Sequence, residues 1–552
     1  MPELLHPGVY VQEVSSGVRP IEGVSTSTAA FIGVADKGPI PGTVLPTGRA
    51  AQPVMVTSLT DYTRQFGGFR RDSFLTYAVR SFYENGGRRL YIVRVAPAGV
   101  ALARVSITSP PLSPPASSLS IVAANEGEWG NNIWIATEDS SDGNTTANFK
   151  LIVMYGKTVQ EARANVVETY DNVTFRSAVA TDPNPPNYVR TLVNSRSEYI
   201  AFPVGTNVTA RPVNSVPTQL TGGSDGVTAN VSHIGAAAAN STVTGTGLRA
   251  LDKLTDVNII AIPGRGDVQT VNAGMAYCKN QRPLQDCFYV ADVGLVADVN
   301  SARLDGSQPD DVIRVSGSGS AREFAISGQA GTPLDKAAGD YGAIYYPWVR
   351  GADPIGSGRN PLILLPPSGF VAGIYARTDN SRGVFKAPAG TEAGVSGALA
   401  VATTVSDTEQ DQLNPVMVNV IRTVPGSGIV VWGARTIGSD SEWRYIPVRR
   451  MAIFLRVSIY YGIQWAVFEP NDEPLWASLR LNIRAFMLTQ FRAGAFQGAK
   501  PDDAFFVKCD STTTTQQDID NGVVNILVGF APLKPAEFVV LKLSQKVNQP
   551  VA

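Results

Sequence analysis

Between Val257 and Val293 the chain spells strand, helix, strand, and no other stretch constrains the fold as much. Val257–Gly264 is an apolar run ending in Pro-Gly, Val268–Lys279 has helical spacing, and Cys287–Val293 is apolar again. Two such strands joined through a helix within about forty residues predict a right-handed parallel crossover. The same grammar recurs upstream. Thr28–Ala35 reads as a buried strand, Val54–Thr57 as a second, and Asp61–Gly68 as a helix closed by glycine. Leu75, Val79 and Phe82 then recur at helical spacing before Asn85-Gly86-Gly87, and Leu90–Val95 follows as a strand. Downstream, Tyr341–Trp348 restores the sheet, 366–379 is helical, and Leu413–Arg422 with Gly428–Thr436 forms a strand pair. The expected fold class is multi-domain α/β (α+β): mixed sheets with packed helices.

From Ala96 to about Leu220 the composition turns to Pro, Ser, Thr and Asn, with short strands expected at 119–124, 133–137, 149–154 and 188–193. TSPPLSPPASS marks the entry and LTGGSDG the exit, so a β-rich domain is inserted into the α/β body. Beyond 440, Met451, Leu455, Ile459 and Ile463 repeat every four residues, as do Leu475, Leu479, Ile483 and Met487; Pro470 and Pro474 separate two amphipathic helices. The end of the chain reads NGVVNILVGFAPLKPAEFVVLKLSQK. Val523–Val528 is expected as a buried strand, Pro532 and Pro535 stiffen an extended connector, and Val539, Leu541 and Leu543 line one face of a terminal strand. That strand can pair inside its own domain or with the sheet of a neighbouring copy. The predicted boundaries are an arm at 1–25, the first part of the core at 26–97, the insertion at 98–221, a central α/β domain at 222–410, a C-terminal domain at 411–536 and a final strand at 537–552.

The bulk numbers remove several functions. Lys+Arg 46 against Asp+Glu 47 leaves a net charge of −1, so no global field favours nucleic acid or an anionic membrane. Charged residues make up only 17 %, low for a lone soluble chain, which points to surface covered by other chains. Cys278, Cys287 and Cys509 have no metal or disulfide spacing and suit a reducing compartment. His6 and His233 cannot build a metal cluster or a recognisable triad, and no phosphate loop is present, so no catalytic residue, cofactor or metal is expected. Neither a signal peptide nor an apolar run long enough to span a membrane is expected. Arg265-Gly266-Asp267 spells an adhesion tripeptide by chance, and the N-x-S/T triplets have no export route to give them meaning.

Particular stretches go further. PGVYVQEV and STSTAAFIGVADKGP near the start, FYENGG with RRLYIVRV, YYPW, PPSGFVAGIYARTD, RGVFKAPAG, WGART, FEPN and GFAPLKPAEF together resemble contractile tail sheath proteins, over 1–95 and 222–546. The resemblance implies a structural subunit of a phage or phage-tail-like contractile injection particle, located in its tail and assembled in the bacterial cytoplasm. Its implied partners are further copies of itself in a helical tube, an inner tail tube protein, and baseplate and tail terminator or cap proteins, without direct nucleic acid contact or membrane insertion. It further implies exchanged arms, here Val9, Tyr10, Val11 and Val14 at one end and Val539, Leu541 and Leu543 at the other. Contraction would be relaxation from a metastable packing, without nucleotide, and the insertion would face outward.

Arg480 and Arg484, one turn apart in the last long helix, and Arg492 beyond them are either a solvated face or a basic ridge towards the inner tube. The rival from another class is an α/β enzyme with a β-rich accessory domain; a receptor-binding particle protein would rest on the insertion alone.

Overall fold

β1 (Thr28–Gly33) is buried at every residue, as small and β-branched residues allow in a strand covered on both faces. It heads a computed structural model that describes residues 20–107, 119–144, 146–175, 185–206, 208, 210–227, 231–240, 243–293, 313–316, 323–326 and 334–538. Next come β2 (Val54–Val56), α1 (Leu59–Phe66), α2 (Leu75–Glu84) and β3 (Arg89–Arg94). Ser58 caps α1 by accepting from the Asp61 amide, and Gly67, at φ 93°, ends it in a conformation that favours glycine.

The chain then enters the insertion through β4 (Val100–Ala101) and lays down β5 (Arg104–Ile107), β6 (Leu119–Ala123), β7 (Ile133–Asp139), β8 (Asn148–Tyr155), α3 (Val159–Ala164), β9 (Val166–Thr174), α4 (Val189–Arg196), β10 (Ile200–Ala201) and β11 (Ser215–Gln219). β12 (Ser224–Asp225) returns to pair antiparallel with β4 at the neck. Sheets β10-β6-β5 and β11-β7-β8-β9 enclose a core that includes Ile121, Ile135, Leu151, Val153 and Phe202. Residues 188–193, expected as a strand, are instead the start of α4. Val189 and Val193, one helical turn apart, are its buried positions, and tertiary packing overrides their β-branched preference.

After the insertion come β13 (Ile259–Ala261), α5 (Val268–Ala276), β14 (Phe288–Asp292), a hairpin of β15 (Ile313–Ser316) and β16 (Glu323–Ile326), β17 (Gly342–Tyr346), β18 (Val349–Ala352), β19 (Leu362–Leu365), α6 (Pro367–Arg382), β20 (Ala400–Val401), α7 (Asp407–Leu413), β21 (Val418–Val424) and β22 (Gly428–Trp432). One eight-stranded sheet runs β2-β3-β1-β13-β14-β17-β21-β22, parallel from β3 to β21 and closed by antiparallel β2 and β22 at its edges. The crossover read from the sequence is therefore present, β13 lying parallel to β14 with α5 between them. Arg265-Gly266-Asp267 has a local explanation: Asp267 caps α5 through the Thr270 amide at 2.9 Å and pairs with Arg265 at 3.3 Å.

Two compact units result, one of Ser25–Ser381 with Pro388–Ile446, the other of residues up to Val24, Arg382–Ala387 and Pro447 onward. The C-terminal domain was expected from 411, but β21 pairs with β17, which keeps the β21–β22 hairpin in the large sheet, and the second unit resumes only at Pro447.

At the end of β14, Asp292 is only 1 % exposed and its carboxylate accepts from the Ser368 amide (2.7 Å), the Ser368 hydroxyl (2.6 Å) and the Gly264 amide (2.9 Å). Burial pushes its pKa up to about 7, against the pull of those hydrogen bonds in the other direction. Because the folded value is the raised one, the contribution of this group to stability is fully present below pH 4 and is lost as pH rises through 7. We therefore expect the stability difference between the native chain and Asp292→Asn to shrink steadily in urea melts from pH 4 to pH 7, by at most about 4 kcal/mol, and to stay flat above. A difference independent of pH would show that Asp292 is ionised throughout.

Candidate assembly interface

The second unit is built on α8 (Ile446–Gly462) and α9 (Glu473–Arg492). Their predicted stripes face inward: Met451, Leu455, Leu475, Leu479, Ile483 and Met487 are buried, and Ile459 and Ile463 partly so. Asp472 caps α9 by accepting from the Leu475 amide at 3.2 Å, and Pro474 occupies the first turn, where no amide donor is needed. From the chain's beginning, Ile21 joins this core, and the Val24 amide donates to Ser458 Oγ at 3.1 Å. Ile21 to Val24 therefore lie against the flank of α8. Val9, Tyr10, Val11 and Val14 lie outside the described residues.

α10 (Pro501–Ala504) leads into β23 (Phe505–Lys508), and α11 (Gln516–Asp520) precedes β24 (Leu527–Phe530). The two strands pair antiparallel, Phe505 opposite Phe530 and Lys508 opposite Leu527, and among the described residues this ladder has no third strand. The ring of Phe506 lies across Gly529, where a Cβ would come within 2.3 Å of it, so the glycine is what lets the strands meet there. Phe496 bridges Pro532, and the Gln497 amide donates to the Ala531 carbonyl at 2.9 Å, fixing the start of the proline connector. Val539, Leu541 and Leu543 lie outside the described residues.

The run Val523–Val528, expected as a buried strand, pairs only from Leu527 onward, and Val523 and Leu527 are 42 % and 52 % exposed. Side chains take the backbone groups that a longer ladder would use. Asn471 Nδ2 donates to the Val523 carbonyl at 3.0 Å, and Thr514 Oγ1 accepts from the Asn525 amide at 3.0 Å.

The three arginines of α9 differ in use. Arg480 donates to Glu473 Oε1 at 2.8 Å and to the Cys509 carbonyl, bracing the helix against the chain that follows β23. Arg484 is half exposed, pairs with Asp502 at 2.7 Å and lies over the Phe505 ring. Arg492 is exposed at the last turn. An unbroken basic ridge is not what the helix presents, because Leu481, Ala485 and Thr489 are the other exposed positions between Arg480 and Arg492.

Within the large unit, a cleft of about 860 Å³ lies where the insertion meets the core, lined by Asp36, Lys37, Arg70, Trp129, Tyr199 and Asp225 among others. Its polar groups hold the seam together. Arg70 pairs with Asp36 at 2.9 Å, Asp225 at 2.8 Å and Asp72 at 2.8 Å, and Lys37 Nζ sits 5.4 Å from the Trp129 ring centre and 5.1 Å from that of Tyr199. Beside it the buried Arg94 guanidinium donates to the carbonyls of Ala35 (3.1 Å), Gly38 (2.7 Å) and Glu126 (2.9 Å), tying the core to the insertion. Sequence reasoning did not foresee this clasp, whose partners are mostly backbone carbonyls. Among the described residues no group of three or more His, Cys, Asp or Glu side chains could hold a metal ion, no helix is long and apolar enough to cross a membrane, and all three cysteines are buried and free.

The described residues thus form a parallel α/β body with a clasped β-rich insertion, and a separate unit ending in a short ladder. Residues 241–437 match the phage tail sheath protein central domain and residues 438–546 the phage tail sheath C-terminal domain; the chain belongs to the phage tail sheath family. The tail sheath protein of Vibrio phage KVP40 is 27 % identical over 180 residues, 32 % of this chain and 26 % of that one. The tail sheath protein of Burkholderia phage BcepMu is 29 % identical over 187 residues, 33 % of this chain and 39 % of its own length. Such alignments span less than half of the curated relatives. The helical sheath of the anti-feeding prophage in its contracted state superposes with a TM-score of 0.54 at 21 % identity, covering 98 % of this chain and 99 % of that one, and so shares the fold.

Proposed function

We propose that the chain is the repeating subunit of a contractile sheath, polymerising as a helical tube around an inner tail tube and shortening to drive that tube through a target envelope. The observation that carries this reading is the β23–β24 ladder. Two strands alone are marginal in water and offer hydrogen-bonding edges, and here they stand where the proline connector leads away and near the core that holds Ile21. Terminal strands from neighbouring copies, Val9–Val14 and Val539–Leu543, would extend that ladder by β-augmentation and link subunits while allowing them to rotate. Heterologous contacts of this kind build open helices. Contraction is then relaxation between two packings, fed by no nucleotide. Baseplate and terminator proteins cap the ends, and assembly takes place in the bacterial cytoplasm. The β-rich insertion faces outward.

Purified protein in negative stain should show tubes or rings; discrete particles at all concentrations would overturn the proposal in favour of an α/β enzyme. The inner-tube contact is assigned to the outward side of α9, through Arg484 and Arg492 more than Arg480, which is engaged within its own unit. Exposed charge contacts are individually weak, but repetition along a tube adds them up. Arg484→Glu with Arg492→Glu should therefore reduce co-sedimentation of inner tube with sheath about tenfold at moderate salt, at a cost to the monomer of no more than about 1 kcal/mol for the lost Asp502 pair. Retention at the native level would move the contact elsewhere.

A further inference from the structure

The cleft between insertion and core engages some of its polar groups and leaves others unused. Arg70 takes up the carboxylates of Asp36, Asp72 and Asp225, and Arg71 pairs with Asp353 at 3.2 Å. Lys37 lines the same cleft without such a partner. Its half-buried ammonium rests against the Trp129 and Tyr199 rings, and among the described residues no carboxylate lies within ion-pair distance of it and no acceptor within hydrogen-bond distance. A cation–π contact attracts the charge but accepts none of its N–H donors. Lys157, exposed on the turn before α3, and the exposed carboxylate of Glu128 also lack partners among the described residues. Three aromatic side chains line the cleft beside these charges, with ring centres 5.8 Å apart for Tyr155 and Tyr199 and 6.4 Å apart for Trp129 and Tyr199. Neither tyrosine hydroxyl makes a hydrogen bond among the described residues. Trp129 is 6 % exposed, yet its indole Nε1 has no acceptor, where a buried indole N–H ordinarily finds one. The core of the insertion uses the bodies of these rings and not their polar tips.

We propose that this cleft binds an acidic saccharide, with a sugar face against Tyr155 and Tyr199, a carboxylate at Lys37 and a hydroxyl donated to Glu128. The unused groups call for that combination. The ammonium groups need an anionic acceptor, Glu128 needs a donor, and aromatic walls take the apolar C–H face of a sugar ring. A nucleic acid would supply the anion, but as a polyanion it is repelled by the carboxylates of Asp36, Asp72, Glu128 and Asp225 that share the cleft. A neutral saccharide leaves Lys37 and Lys157 without a counter-charge. Lys37 belongs to the core, whereas Trp129, Tyr155 and Tyr199 belong to the insertion, so the ligand spans the seam that Arg70 and Arg94 already hold. Binding should therefore raise the melting temperature of the large unit. The site is independent of the polymerising role and is present in every single subunit.

Isothermal titration of the full-length chain with trigalacturonate and with sialyllactose tests this, lactose and inorganic phosphate serving as the neutral sugar and the bare anion. At least one acidic probe should bind and raise the melting temperature, and which one does so separates a uronic acid from a sialic acid. Lactose and phosphate should bind at least about tenfold more weakly. Lys37→Met keeps the stem of the side chain and removes a charge that has no partner in the chain, so the melt without ligand should stay at the native temperature while affinity for the acidic probe falls at least about tenfold. If Lys37→Met lowers the melt, Lys37→Gln, polar and uncharged, carries the same test. No binding of either acidic probe at about 10 mM, equally tight binding of lactose or phosphate, or native affinity in the folded Lys37 variant would overturn the proposal.

Discussion

A chain stopped after Ala536 should melt as the full-length monomer does and yet form no tubes. Every described residue in the core of the second unit, from Ile21 to Phe530, precedes that point, as do both strands of the ladder and the Phe496–Pro532 bridge. What the truncation removes is the segment with Val539, Leu541 and Leu543, whose backbone groups need a partner strand. If that partner belongs to a neighbour, its loss leaves the monomer untouched and leaves each ladder one strand short in the lattice. Circular dichroism melts and negative-stain counts at matched concentration decide the matter. A truncated monomer that aggregates, or melts many degrees lower, would place the strand in its own core and leave the linkage to the N-terminal arm.

The parts legible in the sequence were those where burial and period agree. Thr28–Gly33 and Phe288–Asp292 are apolar on both faces because both faces of the parallel sheet are covered, so their composition already carried the answer. The stripes of α8 and α9 were equally plain, since each has one wet side. Val189–Arg196 was not, because a short β-branched run fits either state until its neighbours choose, and Val523–Val528 was lost to competition from Asn471 and Thr514, distant in sequence. The domain boundary moved from 411 to 447 for a related reason: a hairpin announces its own two strands but not the third strand, β17, on which it leans.

The candidate interface was legible only in part. Amphipathic spacing gives the inward face of α9, while the outward face is defined by what each arginine meets, and Glu473, Asp502 and the Cys509 carbonyl cannot be read from periodicity. Arg94 shows the same limit in the seam, since backbone carbonyls are present at every residue and leave no compositional trace.

The largest loss of stability in the main unit should follow Arg282→Met. Arg282 and Asp286 are nearly completely buried, their side chains 5 % and 3 % exposed. The guanidinium pairs with both oxygens of Asp286, one contact at 2.7 Å, and also donates to the carbonyls of Leu251 (2.9 Å) and Leu254 (2.6 Å). A methionine fills the volume but leaves the carboxylate without its counter-charge, a change that costs about 3–5 kcal/mol. Adding Asp286→Leu removes that stranded charge, so the double variant should recover most of the loss, short by about 1–3 kcal/mol for the carbonyls left without a donor. Urea melts of the native chain, the single variant and the double variant measure the coupling directly. If Arg282→Met alone melts with the native chain, water reaches Asp286 and the pair is not the closed junction its geometry indicates. If instead the double variant is as weak as the single one, the carbonyl contacts to Leu251 and Leu254, and not the ion pair, are what hold the end of β13 and its crossover helix in place.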